Sequence, residues 1–180
     1  MFEAGAALVA WLGMSLIVLA DGRRSLALGA ALATTGVALV VFQGAGLIDA
    51  GALALGGAVM VVRRLTDGPV GWQLMPPGST PRLVLCIAAG LLALWIAFSV
   101  TTGAGAALRF AVMTVVGLGG ARVLSSDERS VLLTSVGLLA LAIAAIAGMG
   151  DAWQGPWPYV AAALVAAGVG WLPVRAPNAA

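Results

Sequence analysis

The chain of 180 residues contains no histidine and no lysine, and it has a single cysteine, Cys86. Without histidine, this chain alone cannot provide a His-ligated haem, a His-containing zinc or copper site, or a Ser-His-Asp triad. Without lysine it cannot form a retinal Schiff base, and one cysteine excludes an intrachain disulfide or thiolate cluster. These absences predict a protein that is not an enzyme and has no catalytic residue, cofactor or metal site of its own.

Charged residues are also scarce, at 9% of the chain, whereas 62% of the residues are hydrophobic. With a mean hydropathy of +1.08, too little polar surface is left to cover a water-soluble globule. Long apolar runs follow one another, and a helical run of about 20 residues crosses about 30 Å of hydrocarbon. The sequence therefore predicts an all-α, multi-pass integral membrane protein.

Seven apolar runs predict one transmembrane domain over residues 1–180, built as one leading helix plus three helical hairpins. The predicted spans are about 4–20, 25–42, 47–62, 82–101, 104–123, 130–148 and 157–173. The third span is the least regular because Gly51, Gly56 and Gly57 lower its helix propensity, so a six-span alternative remains. The first run lacks a basic start and carries Glu3, so we expect a retained span rather than a signal peptide.

The positions of the arginines predict the orientation, because basic residues in short loops are retained on the cytoplasmic side. Eight of the nine basic residues flank alternate connections or the tail: Arg23, Arg24, Arg63, Arg64, Arg82, Arg122, Arg129 and Arg175. The intervening connections contain no basic residue. We expect an inner, cytoplasmic-type membrane, with the N-terminus outside and the C-terminus inside.

Aromatic residues lie near the predicted membrane surfaces. Trp153, Trp157 and Tyr159 flank the last outer connection, and Trp72 lies in the longest inner connection. Their amphipathic rings favour the headgroup layer, so we interpret them as interfacial anchors, with an outer stacking site for a sugar or quinone as the alternative. We also expect bound lipids, with anionic headgroups near Arg63, Arg64 and Arg82.

Small residues on two predicted spans allow helices to approach closely. Ala162, Ala166 and Gly170 form a stripe at four-residue spacing on the seventh span, and Gly117, Gly119 and Gly120 form a smooth patch on the fifth. These surfaces could contact neighbouring helices of this chain or of another integral membrane subunit, and the pattern does not separate the two.

Arg109 is the one ionisable residue well inside a predicted span. Such an arginine is costly unless it snorkels, pairs or faces a wet cavity. We expect it to reach the outer headgroups, to pair with Asp49 or Asp151, or to form an anion site with Thr101 and Thr102. All the carboxylates fall at span ends or in connections, which argues against a proton-coupled carrier.

Two functions fit this pattern. The first is a non-catalytic integral subunit of a larger membrane complex, such as a respiratory, photosynthetic or ion-translocating assembly. The alternative is a small channel or carrier for an apolar or anionic solute, with Arg109 near its entrance. Its polar path would use Thr34, Thr35, Gln43, Thr114, Thr134 and Ser135. The absence of a nucleotide-binding loop and a net charge of only +2 argue against ATP hydrolysis and nucleic-acid binding.

Overall fold

The computed structural model describes residues 2–66, 71–74, 79–100, 105–148 and 155–172. Within these ranges the chain folds into helices. They are α1 (Phe2–Leu19), α2 (Arg23–Ala45), α3 (Leu47–Thr66), α4 (Thr80–Trp95), α5 (Ala106–Ser125), α6 (Arg129–Ala147) and α7 (Trp157–Trp171). A one-turn π-helix, Ile96–Val100, extends α4. The prediction of an all-α fold is confirmed.

Five helices within the described residues are long and apolar enough to cross a membrane: α1, α2, α4 with its extension to Ser99, α5 and α6. Helix α7 is apolar but has 15 residues, and α3 carries Asp49, Arg63 and Arg64 within its 20 residues. Several apolar helices of this length are what a multi-pass membrane protein requires.

Six of the helices close into a ring. Helix α1 packs against α2, α2 against α3, α3 against α7, α7 against α6, α6 against α5, and α5 against α1. Helices α2 and α6 also meet across the ring, whereas α4 lies outside it against α1 and α5. Trp11 of α1 holds α4 in place, because its indole Nε1 donates to the carbonyl of Cys86 at 3.2 Å and its ring covers Gly90.

Glycine sets how closely α1 and α2 approach. A Cβ added to Gly13 would overlap the backbone of Ala33 and lie 2.7 Å from the carbonyl oxygen of Gly29, and one added to Gly36 would overlap the backbone of Ala10. No larger residue fits without moving the helices apart. Backbone contact therefore replaces side-chain interdigitation along this pair.

Two of the three glycines that made the third span irregular, Gly56 and Gly57, lie where other helices approach α3 closely, whereas Gly51 has open space around it. A Cβ on Gly56 would lie 2.6 Å from the Cα of Ala163 in α7, and one on Gly57 would overlap the side chain of Thr34 in α2. The loss of helix propensity at these positions is offset by close packing on both sides. This accounts for a continuous helix over a segment that looked broken in the sequence.

Candidate functional site

One end of the bundle carries most of the arginines, including Arg64, Arg82 and Arg122, and we call it the arginine-bearing end. It is held together by Asp21, in the turn after α1. Arg82 of α4 donates to its carboxylate at 3.2 and 3.4 Å, and Arg122 of α5 forms a second, closer ion pair with it. Arg122 also donates to the carbonyl oxygen of Ala20 at 3.2 Å. The two arginines differ in environment, since the Arg122 side chain is 2% exposed and that of Arg82 is 36% exposed.

The described part of the α3–α4 connection covers the start of α2 at the same end. The amide of Arg24 donates to the carbonyl of Gly71 at 3.4 Å, and the buried hydroxyl of Ser25 lies 2.6 Å from the carbonyl oxygen of Trp72. Gly71 has a φ of 115°, which favours glycine. The Trp72 side chain is 48% exposed, so its backbone is held while its ring points away from the bundle.

The adjacent arginines at the end of α3 have different environments. Arg64 is wholly buried, at 0% exposed, and its Nη2 donates to the carbonyl of Gly170 at 3.5 Å, near the C-terminus of α7. A guanidinium there complements the negative end of the helix dipole. The guanidinium of Arg63 lies 5.7 Å from the ring centroid of Trp171. The prediction that Arg64 meets anionic lipid is therefore wrong, because the α3–α7 contact encloses it.

A cavity of about 500 Å³ lies at the opposite end, which we call the cavity end. Its lining residues are Glu3, Val40, Val41, Gln43, Gly44, Ala45, Gly105, Leu108, Gly148 and Tyr159. Tyr159 is 3% exposed, and its phenol ring lies where a Cβ on Gly148 would be. The ring thus packs inside the bundle, unlike the exposed ring expected of an anchor, whereas Trp157 is 72% exposed. Trp153 lies outside the described residues.

The predicted intramembrane polar site is only partly described. Arg109 is half-buried in the first turn of α5, and its Nη1 lies 3.9 Å from where a Cβ on Gly105 would be. Asp49 is half-buried in the first turn of α3. Thr101, Thr102 and Asp151 lie outside the described residues. Because α5 begins at Ala106, two residues later than predicted, Arg109 is nearer its helix end than the sequence indicated.

The two predicted small-residue surfaces have different surroundings. Ala162, Ala166 and Gly170 are buried between α7 and its neighbours, and a Cβ on Gly170 would lie 3.2 Å from the Cα of Met60. The patch on α5 is divided. Gly119 faces inward near Leu139, at 3.4 Å from where its Cβ would be, but Gly117 and Gly120 have no atom within 4 Å of that position.

Four of the six polar residues expected along a solute path are buried, whereas Thr35 and Gln43 are exposed and Gln43 lines the cavity. Thr34, Thr114, Thr134 and Ser135 are at most 5% exposed. The Thr114 hydroxyl donates to the carbonyl of Ala111 at 2.8 Å, and that of Thr134 to Ser130 at 2.6 Å. These two hydroxyls are satisfied by their own helices. Among the described residues, no group of three or more His, Cys, Asp or Glu could hold a metal ion.

Sequence reasoning missed the ion pairs of Asp21. The available signal was the position of this carboxylate two residues before Arg23, at a predicted connection where basic residues collect. No protein-family model matches this chain, and no curated protein or solved structure matches it.

Proposed function

We propose that this chain is a non-catalytic, multi-pass subunit of a larger complex in the inner membrane. In this proposal all seven helices cross the bilayer, the N-terminus is outside, and the arginine-bearing end faces the cytoplasm. Contacts among the described residues support this arrangement, since they gather Arg64, Arg82 and Arg122 at one end of the bundle. The segment after α3 supports a full crossing by that helix. Gly71, beyond the C-terminus of α3, contacts the start of α2, so α3 leads back to the end of the bundle from which α2 begins.

The observation that carries the proposal is the outward strip of α5, formed by Met113, Gly117, Gly120 and Leu124. These residues follow at spacings of four, three and four, so they share one helix face. Met113 is 41% exposed and Leu124 is 90% exposed, and the two glycines between them have open space. We call this face the α5 strip. It is a shallow, smooth surface that no described residue of this chain fills.

Lipid provides no hydrophobic drive for helix association, so membrane helices associate where small residues let backbones approach. Glycine costs helix propensity, about 1 kcal/mol relative to alanine in water, and against lipid alone it gains no packing in return. Inside this bundle, Gly13, Gly36 and Gly56 all lie where another helix comes close. The α5 strip extends that pattern to the surface and favours a helix from another subunit.

Helix α4 provides the contrast on the adjoining surface. Its outward residues are large, including Leu91 at 63%, Leu92 at 56% and Trp95 at 59% exposed. Bulky apolar side chains suit contact with fluid acyl chains and keep another backbone at a distance. The expected arrangement has lipid on α4 and a partner helix on α5.

The alternative function, a channel or carrier, is favoured by the cavity at the cavity end. Its lining includes the carboxylate of Glu3, the amide of Gln43 and the hydroxyl of Tyr159, and Arg109 follows the lining residue Leu108 in the chain. If this alternative holds, Arg109→Gln abolishes solute flux while insertion stays normal. Thr114 and Thr134 do not extend a polar path from this cavity, because their buried hydroxyls donate to carbonyls of their own helices.

The test replaces both glycines of the α5 strip, Gly117→Leu and Gly120→Leu, and compares assembly size on native gels after mild detergent extraction. The matched control is Gly168→Leu on α7, which is exposed and likewise has open space around it. Wild type and control should run as one large assembly, and the double variant at the mobility of the 17.9 kDa chain in its micelle. Equal mobility of all three would overturn the assignment of the α5 strip.

A further inference from the structure

The groove between α3 and α7 is apolar along its length and cationic at one end. It has a volume of about 430 Å³ and is lined by Leu55, Ala58, Val59, Val62, Arg63, Thr66 and Trp171. Leu55 is 70%, Val62 62% and Trp171 68% exposed, so the groove is open to the side. It ends at the arginine-bearing end of the bundle, where Arg63 lies over Trp171.

Of the two adjacent arginines at the end of α3, Arg63 lines this groove and Arg64 does not. Arg64 is buried and donates to the carbonyl of Gly170, which fixes the last turns of α3 and α7 against each other. Arg63 is one residue further back on the helix and is only partly buried. Its guanidinium has several N–H donors in a planar fork, so it can stack on an indole while donating to an oxyanion.

We propose that this groove binds one anionic phospholipid, with the headgroup phosphate at Arg63 and an acyl chain along Leu55, Val59 and Val62. Trp171 is the last residue of α7, and in this proposal it contacts the headgroup layer, since tryptophan favours the membrane–water interface. The Thr66 hydroxyl, which donates to the Arg63 carbonyl at 2.8 Å, lies at the mouth. An anionic lipid supplies both the charge and the apolar length that this surface presents.

This inference requires α3 and α7 to lie in the bilayer with their C-termini at one surface, but it requires no partner subunit. It can therefore fail or hold separately from the proposed accessory role. Titration of the purified, delipidated chain with phosphatidylglycerol or phosphatidylcholine, followed by native mass spectrometry of the first bound lipid, measures it directly.

Arg63→Gln should weaken phosphatidylglycerol binding about fivefold, since one basic residue near a membrane surface contributes about that factor. Phosphatidylcholine binding should fall by less, because the choline cation already offsets the charge of its phosphate. The matched control is Arg129→Gln, an exposed arginine at the same end that does not line this groove. It should bind as wild type does. Equal losses in the two variants would indicate diffuse surface attraction and overturn the site.

Val59→Trp tests the apolar half of the proposal. Val59 is 37% exposed in the groove, so the larger ring fills the groove without entering the core, and unchanged elution on size exclusion checks the fold. We expect phosphatidylglycerol binding to fall by at least as much as in Arg63→Gln. Unchanged binding, or displacement of the lipid by glycerol phosphate at equal concentration, would show that only a headgroup is held and would contradict the groove.

Discussion

At the scale of single residues, glycine has two different roles in this bundle. Gly13, Gly29 and Gly36 allow α1 and α2 to touch through their backbones, whereas Gly117 and Gly120 leave a smooth surface with nothing on it. The first role concerns the stability of the chain, and the second concerns its proposed contact with another subunit. Substitutions separate the two roles because only the first leaves no room for a Cβ.

Gly13→Ala should destabilise the fold by about 1 to 3 kcal/mol, the usual cost of forcing extra atoms into a packed interior. Its Cβ would meet the backbone of Ala33, which cannot turn aside as a flexible side chain can. Gly5→Ala on the same helix is the matched control, because no atom lies within 4 Å of its added Cβ. The free energy of unfolding, measured by titration with a denaturing detergent, distinguishes them, and equal stability of the two variants would contradict the account.

Sequence alone could identify small residues but not the direction in which they face. Gly117, Gly119 and Gly120 read as one patch, yet Gly119 packs toward Leu139 and the others face outward. The phase of a helix about its axis depends on all its neighbours, and α5 is apolar on every side, so no polar face reveals its inward side. Helix α7 is likewise apolar on every side, so the sequence did not show that Tyr159 faces inward.

At the scale of helices, apolar runs separated by charged connections were sufficient to predict where each helix lies. The observed bounds agree within a few residues because hydropathy and caps are local signals. Beyond the pairs within each predicted hairpin, contacts between helices were not predicted from the sequence. The peripheral position of α4, the ring order and the burial of Arg64 depend on which surfaces pair, and these contacts join residues far apart in the chain.

The arginines of α4 and α5 should contribute unequally to holding the arginine-bearing end together. Arg122→Met should cost about 2 kcal/mol of stability, because a nearly buried guanidinium loses charge-assisted hydrogen bonds to Asp21 and Ala20. Arg82→Met should cost less than about 1 kcal/mol, since both side chains of that pair are about one third exposed and solvent screens their attraction.

A double-mutant cycle with Asp21→Asn isolates the coupling of each arginine to the carboxylate. It should give a larger coupling energy for Arg122 than for Arg82 in the same detergent titration. Equal couplings, or a larger one for Arg82, would show that the buried ion pair does not hold α1, α4 and α5 together.

At the scale of the whole molecule, the gathering of arginines at one end defines an axis, and the proposal places that end in the cytoplasm. In a Cys86→Ala background, single cysteines at Glu3 and Gln43 should react with an impermeant maleimide in intact cells. Cysteines at Thr66 and Asp127 should react only after permeabilisation, and all four positions are exposed. Labelling of Gln43 and Thr66 from the same side would show that α3 does not cross, and a fully inverted pattern would reverse the orientation.

The sequence of this chain indicates its orientation in the membrane more clearly than it indicates its partner. The charge asymmetry can be counted in the sequence, because eight of the nine arginines lie at alternate connections or in the tail. An interface in lipid depends instead on the shape of a surface, which becomes visible only once the helices are packed. The α5 strip and the groove beside Arg63 are both of this kind. The helix or lipid that occupies each surface can be identified from the molecules that copurify with the protein.

The most direct test of the accessory role is the native mass of the wild-type assembly after mild extraction from its own membrane, with mass-spectrometric identification of every chain present. The account predicts a defined assembly that contains other integral membrane proteins in fixed stoichiometry with this chain. A monomer, or an oligomer of this chain alone, would contradict it and would favour the channel or carrier alternative.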